Sequence, residues 1–304
     1  MKLINYLILI FILNNFFVFS NKEKIFLIKE LPEESLTTPE IIEYYGYKCE
    51  IHKVLTEDEY ILEMHRIPFG RNFNEINKEP RRVIFLQHGL LASSADWATP
   101  VASVKHIKGL FAIIGKLFGK HLGILSWLFG SHEFLPHNWA TQLFAKMICG
   151  QSWENPFCDN ILFLIGGPET SQFNRSRLMV YMAHEPAGTS TKNIIHWSQM
   201  QQSGFVQKFN YGTAKANYLH YGQNTPPIYN LTKISNVPIY LYYSDSDWLA
   251  TKKDVEETIL QQIPSKNIKI AKNLPNFNHF DFIWGINANK IIYDEIIKEA
   301  LKEE

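Results

Sequence analysis

Three features of the chain could do chemistry together. The first is His88-Gly89-Leu90-Leu91, directly after the apolar run Val83-Ile84-Phe85-Leu86. A glycine there lets the chain turn tightly and leaves the next backbone N–H, that of Leu90, facing outward, where it could stabilise a developing oxyanion. The second is Asp247, after the apolar run Val237–Tyr243, and the third is His279, thirty-two residues later. An acid and then a histidine, each after its own strand, is an order in which an open α/β sheet carries a nucleophile–acid–base triad. The histidine would take the nucleophile's proton, and the acid would fix the histidine's tautomer and stabilise its cation. Each feature also has a plainer reading. Asp245 and Asp247 suit an Asx-type turn, His279 suits a packed, hydrogen-bonded core histidine, and any strand-to-loop glycine resembles Gly89. A calcium loop is excluded, because Leu249 and Ala250 stand where such a loop needs an oxygen ligand and a glycine.

The elements that must position these groups can be read from periodicity. Pro39 opens a short helix over 39–45, with Thr38 as candidate N-cap. Residues 47–55 and 60–67 alternate and predict a hairpin turning at Thr56–Glu59. Arg82–Leu86 reads as a buried strand of the parallel type. Ile107, Leu110, Phe111, Ile114, Leu117 and Phe118 fall at helical spacing, with interleaved lysines and several glycines; the stripe suits packing on its own protein or contact with lipid. Val237–Tyr243, a helix over Lys253–Gln262, a strand over Ile268–Ala271 and a final amphipathic helix over Ala288–Lys302 predict the closing half of an open α/β sheet.

Composition narrows the function classes. In 304 residues, 30 basic and 30 acidic side chains cancel and no basic stripe occurs, which argues against a nucleic-acid partner. Three cysteines (Cys49, Cys149, Cys158) are too few for a disulfide scaffold and lack zinc-site spacing, so no metal is expected. Residues 1–20 read as a secretory signal peptide, with Lys2 before an apolar run and a cleavage site after Ser20; an uncleaved anchor is the alternative. No transmembrane span is expected in the mature chain. In an oxidising lumen Cys149 and Cys158 could close one loop, Cys49 would be a free thiol, and Asn174 and Asn230 would be glycosylation acceptors.

The sequence also resembles the acid lipases, the gastric and lysosomal lipases with their sterol-ester-hydrolysing relatives. The resemblance covers about Thr38 to Trp97 and resumes from about Ala98 to the C-terminus. It rests on Arg66-Ile67-Pro68-Phe69-Gly70, Gln87-His88-Gly89-Leu90-Leu91-Ala92-Ser93, Leu135-Pro136-His137-Asn138, His184-Glu185-Pro186-Ala187-Gly188-Thr189-Ser190, Tyr229-Asn230-Leu231-Thr232 and Asn278-His279-Phe280-Asp281-Phe282-Ile283-Trp284. It implies an α/β-hydrolase fold with a helical cap: residues 21–97 and 226–304 as the two parts of the core, 98–225 as the cap. It implies Leu90 as an oxyanion-hole N–H, Asp247 as triad acid, His279 as triad base, a cap disulfide between Cys149 and Cys158, and glycosylation at Asn230. The implied activity is hydrolysis of triacylglycerol or sterol esters at a lipid–water interface by a secreted or lysosomal monomer, without cofactor.

One part is missing. No serine in the chain lies in G-x-S-x-G. The stretch Gly150-Gln151-Ser152-Trp153-Glu154 has the first glycine but lacks the second, and lies between the two cysteines. The motif before the nucleophile ends at Trp97, and Ala98-Thr99-Pro100-Val101-Ala102 resembles the family's segment beyond the nucleophile. Three strands with their helices would need about 60–100 residues. The chain thus reads as a lipase scaffold with an internal deletion, its central strands and nucleophile elbow missing, which leaves the Val83–Leu86 strand without neighbours. It is expected to lack esterase activity; the alternative is a non-catalytic lipid-binding relative or a truncated gene product.

Overall fold

The computed structural model describes residues 31–56, 61–71, 83–86, 89, 92–93, 105–118, 133–135, 162–235 and 237–302. Contacts divide the chain into Met1–Leu31 and Pro32–Glu304, and all the elements described belong to the second unit. The expected signal peptide, the hairpin turn at 57–60, His88, Leu90, Cys149, Ser152 and Cys158 lie outside the described residues.

Helix α1 (Thr38–Tyr44) starts one residue earlier than its sequence suggests. Its cap is Thr37, not Thr38: Glu40 Oε2 accepts from the Thr37 N–H and hydroxyl, both at 2.7 Å. Strands β1 (Glu50–Leu55) and β2 (Ile61–Arg66) form the expected antiparallel hairpin, with Glu50 opposite Arg66 and Leu55 opposite Ile61. Nothing among the described residues covers it: every residue of the pair except Glu50 and His65 is exposed.

Val83–Leu86 departs from the buried strand that its apolar run alone suggests, and is as exposed as a strand left without neighbours would be. It is not a buried strand but belongs to no ladder among the described residues, with Val83 86% and Phe85 71% exposed. A continuous apolar run forms a buried strand only where neighbours supply both hydrogen bonds and cover.

Helix α2 (Gly109–Phe118) follows the periodic stripe. It begins at Gly109, whose φ of +66° suits glycine and where a side chain would meet the Leu164 carbonyl oxygen and the Trp248 ring. Short β3 (Glu133–Phe134) pairs with β4 (Thr189–Ser190), between a helical segment over 162–166 with α3 (Leu178–His184) and the longer α4 (Thr191–Ser203). Ser190 caps α4 by accepting the Asn193 N–H, and Gly204 ends it in the left-handed region. Helix α5 (Ala214–Tyr221) ends the same way at Gly222.

The C-terminal part follows the predicted alternation. Strand β5 (Ile239–Tyr243) leads to a helix α6, made of Lys252–Asp254, a π turn at Val255–Ile259, and Leu260–Gln262. Strand β6 (Ile268–Asn273) pairs parallel to β5. A short α7 (Asp281–Trp284) and a π turn (Asn289–Tyr293) lead into α8 (Asp294–Lys302). The described strands form three two-stranded sheets, of which the parallel β5–β6 pair with α6 between its strands is the described part of the expected α/β sheet.

Two apolar clusters fix α7. Leu162, Phe173, Leu178 and Trp284 form one; Leu274, Phe277, Phe282, Ala288 and Ile292 form the other. Phe282 and Trp284 point into different clusters, each contributing roughly 1.5–3 kcal/mol of burial. Trp284 stacks on Tyr181 at 4.5 Å and on Phe280 at 4.9 Å. The segment carrying His279 is therefore anchored from both sides.

Candidate active site

Strand β5 ends in Tyr243, and the chain enters a tight turn. Ser244 is fully buried and its Oγ accepts the Ser246 N–H at 2.9 Å. Asp247, 3% exposed, accepts the N–H groups of Leu249 and Ala250 on Oδ1, both at 2.8 Å. Asp247 is thus an Asx-type turn residue, and its carboxylate also meets a histidine. The Nδ1 of His279 lies 3.0 Å from its Oδ2 and 3.2 Å from Oδ1. The two readings of Asp247 coexist, because a carboxylate has lone pairs for both tasks. Asp245 is structural: it accepts from Asn273 at 2.6 Å and pairs with Lys252 at 2.9 Å, and these hold its carboxyl below the usual range.

His279 sits on the loop between β6 and α7 with its side chain 22% exposed. Burial disfavours its cation, but the Asp247 charge and hydrogen bond outweigh that, so its pKa is raised above the ordinary histidine value. A carboxylate on Nδ1 requires the proton there, which leaves Nε2 as the acceptor in the neutral ring. That is the tautomer of a general base. Among the described residues no hydroxyl lies within hydrogen-bond distance of Nε2.

A feature with no counterpart among the sequence motifs holds the two loops together. The Gly166 carbonyl accepts the N–H of His279 at 3.1 Å and of Trp248 at 3.2 Å. A side chain on Gly167 (φ +123°) would meet the Ser246 carbonyl oxygen at 2.0 Å, and one on Gly166 the Phe280 ring at 2.6 Å. Only glycines let the 162–166 segment approach both loops this closely. The adjacent glycines at 166 and 167 are the one sequence signal that could have pointed to it.

Asp281, fully buried, makes a second clamp. Its Oδ2 accepts the Thr170 hydroxyl at 2.5 Å and the Asn278 N–H at 2.7 Å, while Oδ1 has no partner among the described residues. Burial pushes its pKa up, against those two hydrogen bonds. Asn278, also fully buried, donates to the Pro168 carbonyl at 3.2 Å and accepts the Phe280 N–H at 3.0 Å. A further buried acid, Asp254, holds His106 Nδ1 at 2.7 Å. Sequence reasoning misses this pair because nothing in the spacing joins residues 148 apart.

The other predicted positions divide between described and undescribed residues. Leu90, Cys149 and Cys158 are outside the described residues. Three residues further along the sequence than Leu90, the Ser93 N–H donates to Glu185 Oε1 at 3.2 Å. Asn174 is half-buried, and its Oδ1 accepts the Ser176 hydroxyl at 2.7 Å. Asn230 is exposed, with Oδ1 accepting from the Thr232 N–H and hydroxyl. Among the described residues no cluster of three His, Cys, Asp or Glu could hold a metal, and no helix is long and apolar enough to cross a membrane.

Comparison with known proteins adds to this geometry. Residues 38–101 match the model of the partial alpha/beta-hydrolase lipase region. The chain is 35% identical to lipase lipl-5 of Caenorhabditis elegans, over 88% of this chain and 92% of that one. It is 31% identical to gastric triacylglycerol lipase of Bos taurus, over 89% and 92%. It is 29% identical to lysosomal acid lipase/cholesteryl ester hydrolase of Homo sapiens, over 88% and 91%. The lipl-5 alignment spans 373 positions, while 88% of 304 residues is about 268, so about 105 of its positions face a gap in this chain.

Proposed function

The chain belongs to the acid lipase family, and from that premise we propose that it is an acid-lipase scaffold for neutral-lipid ester hydrolysis that, as written, cannot acylate. The relatives' own names speak of triacylglycerol and cholesteryl esters, and esters of that class, met at a lipid–water interface, are the proposed substrates of the intact form. The observation that carries the reading is the Asp247–His279 pair, with Nδ1 engaged and Nε2 left without a hydroxyl among the described residues.

In the intact arrangement a serine would give its proton to His279 Nε2 as its Oγ bonds to the ester carbon. Asp247 would stabilise the imidazolium and the Leu90 N–H the oxyanion. The alcohol would leave with the proton from Nε2, and water would hydrolyse the acyl-enzyme by the same relay. Here no serine stands in G-x-S-x-G to supply that hydroxyl. The alignment gap of about 105 positions and the uncovered Val83–Leu86 both support a lost segment near Trp97–Ala98, which would have held the nucleophile and the central strands.

The proposed layout is a signal peptide over 1–20, core over 21–97 and 226–304, and a cap over 98–225 closed by a Cys149–Cys158 disulfide. Glycans on Asn174 and Asn230, delivery outside the cell or to the lysosome, and a monomeric state complete it. Non-reducing and reducing peptide mass spectrometry with glycosidase treatment reads the disulfide and both glycans.

The test of function is a p-nitrophenyl butyrate assay on the purified chain. No turnover above the buffer rate is expected. Turnover abolished by His279→Ala would overturn the reading. Sequencing transcripts across the Trp97 and Ala98 codons tells whether a longer product supplies the serine.

A further inference from the structure

Apart from Asp247 and His279, α4, α5, the loop between them and Tyr229 line an open cleft of about 350 Å³. Among the described residues its lining holds two lysines, one histidine and four aromatic rings, and no carboxylate. Lys192, from the first turn of α4, places Nζ 5.2 Å from the Phe209 ring centre and 5.6 Å from that of Tyr211. Lys208 places Nζ 5.6 Å from the centre of Tyr221. Neither lysine has an ion-pair partner among the described residues.

The wall is rigid. Tyr211 stacks on His220 at 3.6 Å and meets Phe209 edge-on at 5.1 Å. The Tyr221 hydroxyl donates to the Phe209 carbonyl at 2.9 Å, and His196 Nε2 donates to the Gln207 carbonyl at 2.7 Å. Burial and the neighbouring Tyr211 push the Tyr221 hydroxyl up to about 12, so it adds no negative charge to the cleft. Ammonium groups held over ring faces keep free N–H donors. Ring faces and lysine stems supply apolar surface beside them. The volume lies near the lower end of the roughly 300–1,000 Å³ typical of small-molecule pockets, which suits a short ligand.

We propose that this cleft binds an amphiphilic anion, a carboxylate head on a short acyl chain, with Lys192 and Lys208 taking the head and the Phe209, Tyr211 and Tyr221 rings taking the chain. Two lysines with no ion-pair partner among the described residues select the anion, and the rings select a tail over a bare ion. The site shares no residue with the Asp247–His279 pair and does not rest on the lipase reading.

The test is titration calorimetry of the full chain with sodium octanoate below its micellar concentration. Octyl glucoside serves as the neutral amphiphile of equal chain length and sodium acetate as the head without a tail. Octanoate is expected to saturate one site at least tenfold more tightly than either. The Lys192→Gln/Lys208→Gln double variant is expected to lose about tenfold or more in affinity, as charge-assisted hydrogen bonds imply, and the Lys→Arg pair to retain it. Both lysines are exposed, so an unchanged thermal melt accompanies the loss. Equal binding of octyl glucoside or acetate, or undiminished octanoate binding by the glutamine variant, would overturn the proposal.

Discussion

The Nδ1 atom of His279 lies 3.0 Å from Oδ2 of Asp247, and the same carboxylate accepts the N–H groups of Leu249 and Ala250 through Oδ1. The acid is thus fixed by its own turn before it meets the ring. Two backbone bonds to one oxygen leave the other aimed at His279, so the ring is oriented by a group that cannot swing away.

His279 should titrate above the ordinary value of about 6.5. Because its folded pKa is raised, the pair contributes stability that is fully present below the unfolded value and lost as pH rises through the folded one. Asp247→Asn removes the charge and leaves burial, so the pKa should fall below that of the parent. Imidazole C–H shifts followed by NMR from acidic to alkaline pH read both; an unchanged midpoint in the variant would refute the coupling.

Gly167→Ala should be among the most damaging single-methyl changes in the chain. Its Cβ would stand 2.0 Å from the Ser246 carbonyl oxygen at a φ of +123°, and strain plus displacement cost about 2–4 kcal/mol. Gly212→Ala, with φ +87° and open space around it, should cost only about 1–2 kcal/mol from strain. Urea unfolding midpoints compare the two, and equal losses would mean that the close approach at Ser246 does not matter.

Asp281 tests the second clamp. Asn keeps an acceptor for Thr170 and Asn278 and removes a charge that burial disfavours, so Asp281→Asn should cost under about 1 kcal/mol at neutral pH. Asp281→Ala orphans both donors and should cost about 2–4 kcal/mol. The raised carboxyl pKa means that the parent gains stability as pH falls through its folded value, down to the unfolded one, and loses it as pH rises. Parent and Asn variant should therefore diverge between acidic and neutral pH in chemical denaturation.

Phe85 tests the uncovered segment. At 71% exposure, Phe85→Lys removes apolar surface from solvent contact without opening a cavity. Stability should stay within about 0.5 kcal/mol, while dye binding and light scattering should drop, since exposed apolar extended segments drive association. A loss of several kcal/mol would mean that the residue is covered in solution.

Much of the C-terminal part is legible in advance. The runs Val237–Tyr243 and Ile268–Ala271, the acidic turn and the histidine loop can be read from local periodicity because each element is specified within a few neighbouring residues. The hairpin β1–β2 is equally local. Thr37 displaces Thr38 as cap because the choice turns on which hydroxyl Glu40 can reach.

Sequence alone thus establishes the order of the C-terminal elements, the acid and histidine after successive strands, the acid-lipase motifs that flank them, and the lack of a serine in G-x-S-x-G. Folding in three dimensions adds that Asp247 and His279 touch, that Gly166 and Gly167 join their loops, that Asp254 holds His106, and that Val83–Leu86 stands uncovered. The difference is one of range. Periodicity and turn chemistry act over a few residues, whereas a contact between distant groups, or the want of a covering strand, exists only once the rest of the chain has taken its place.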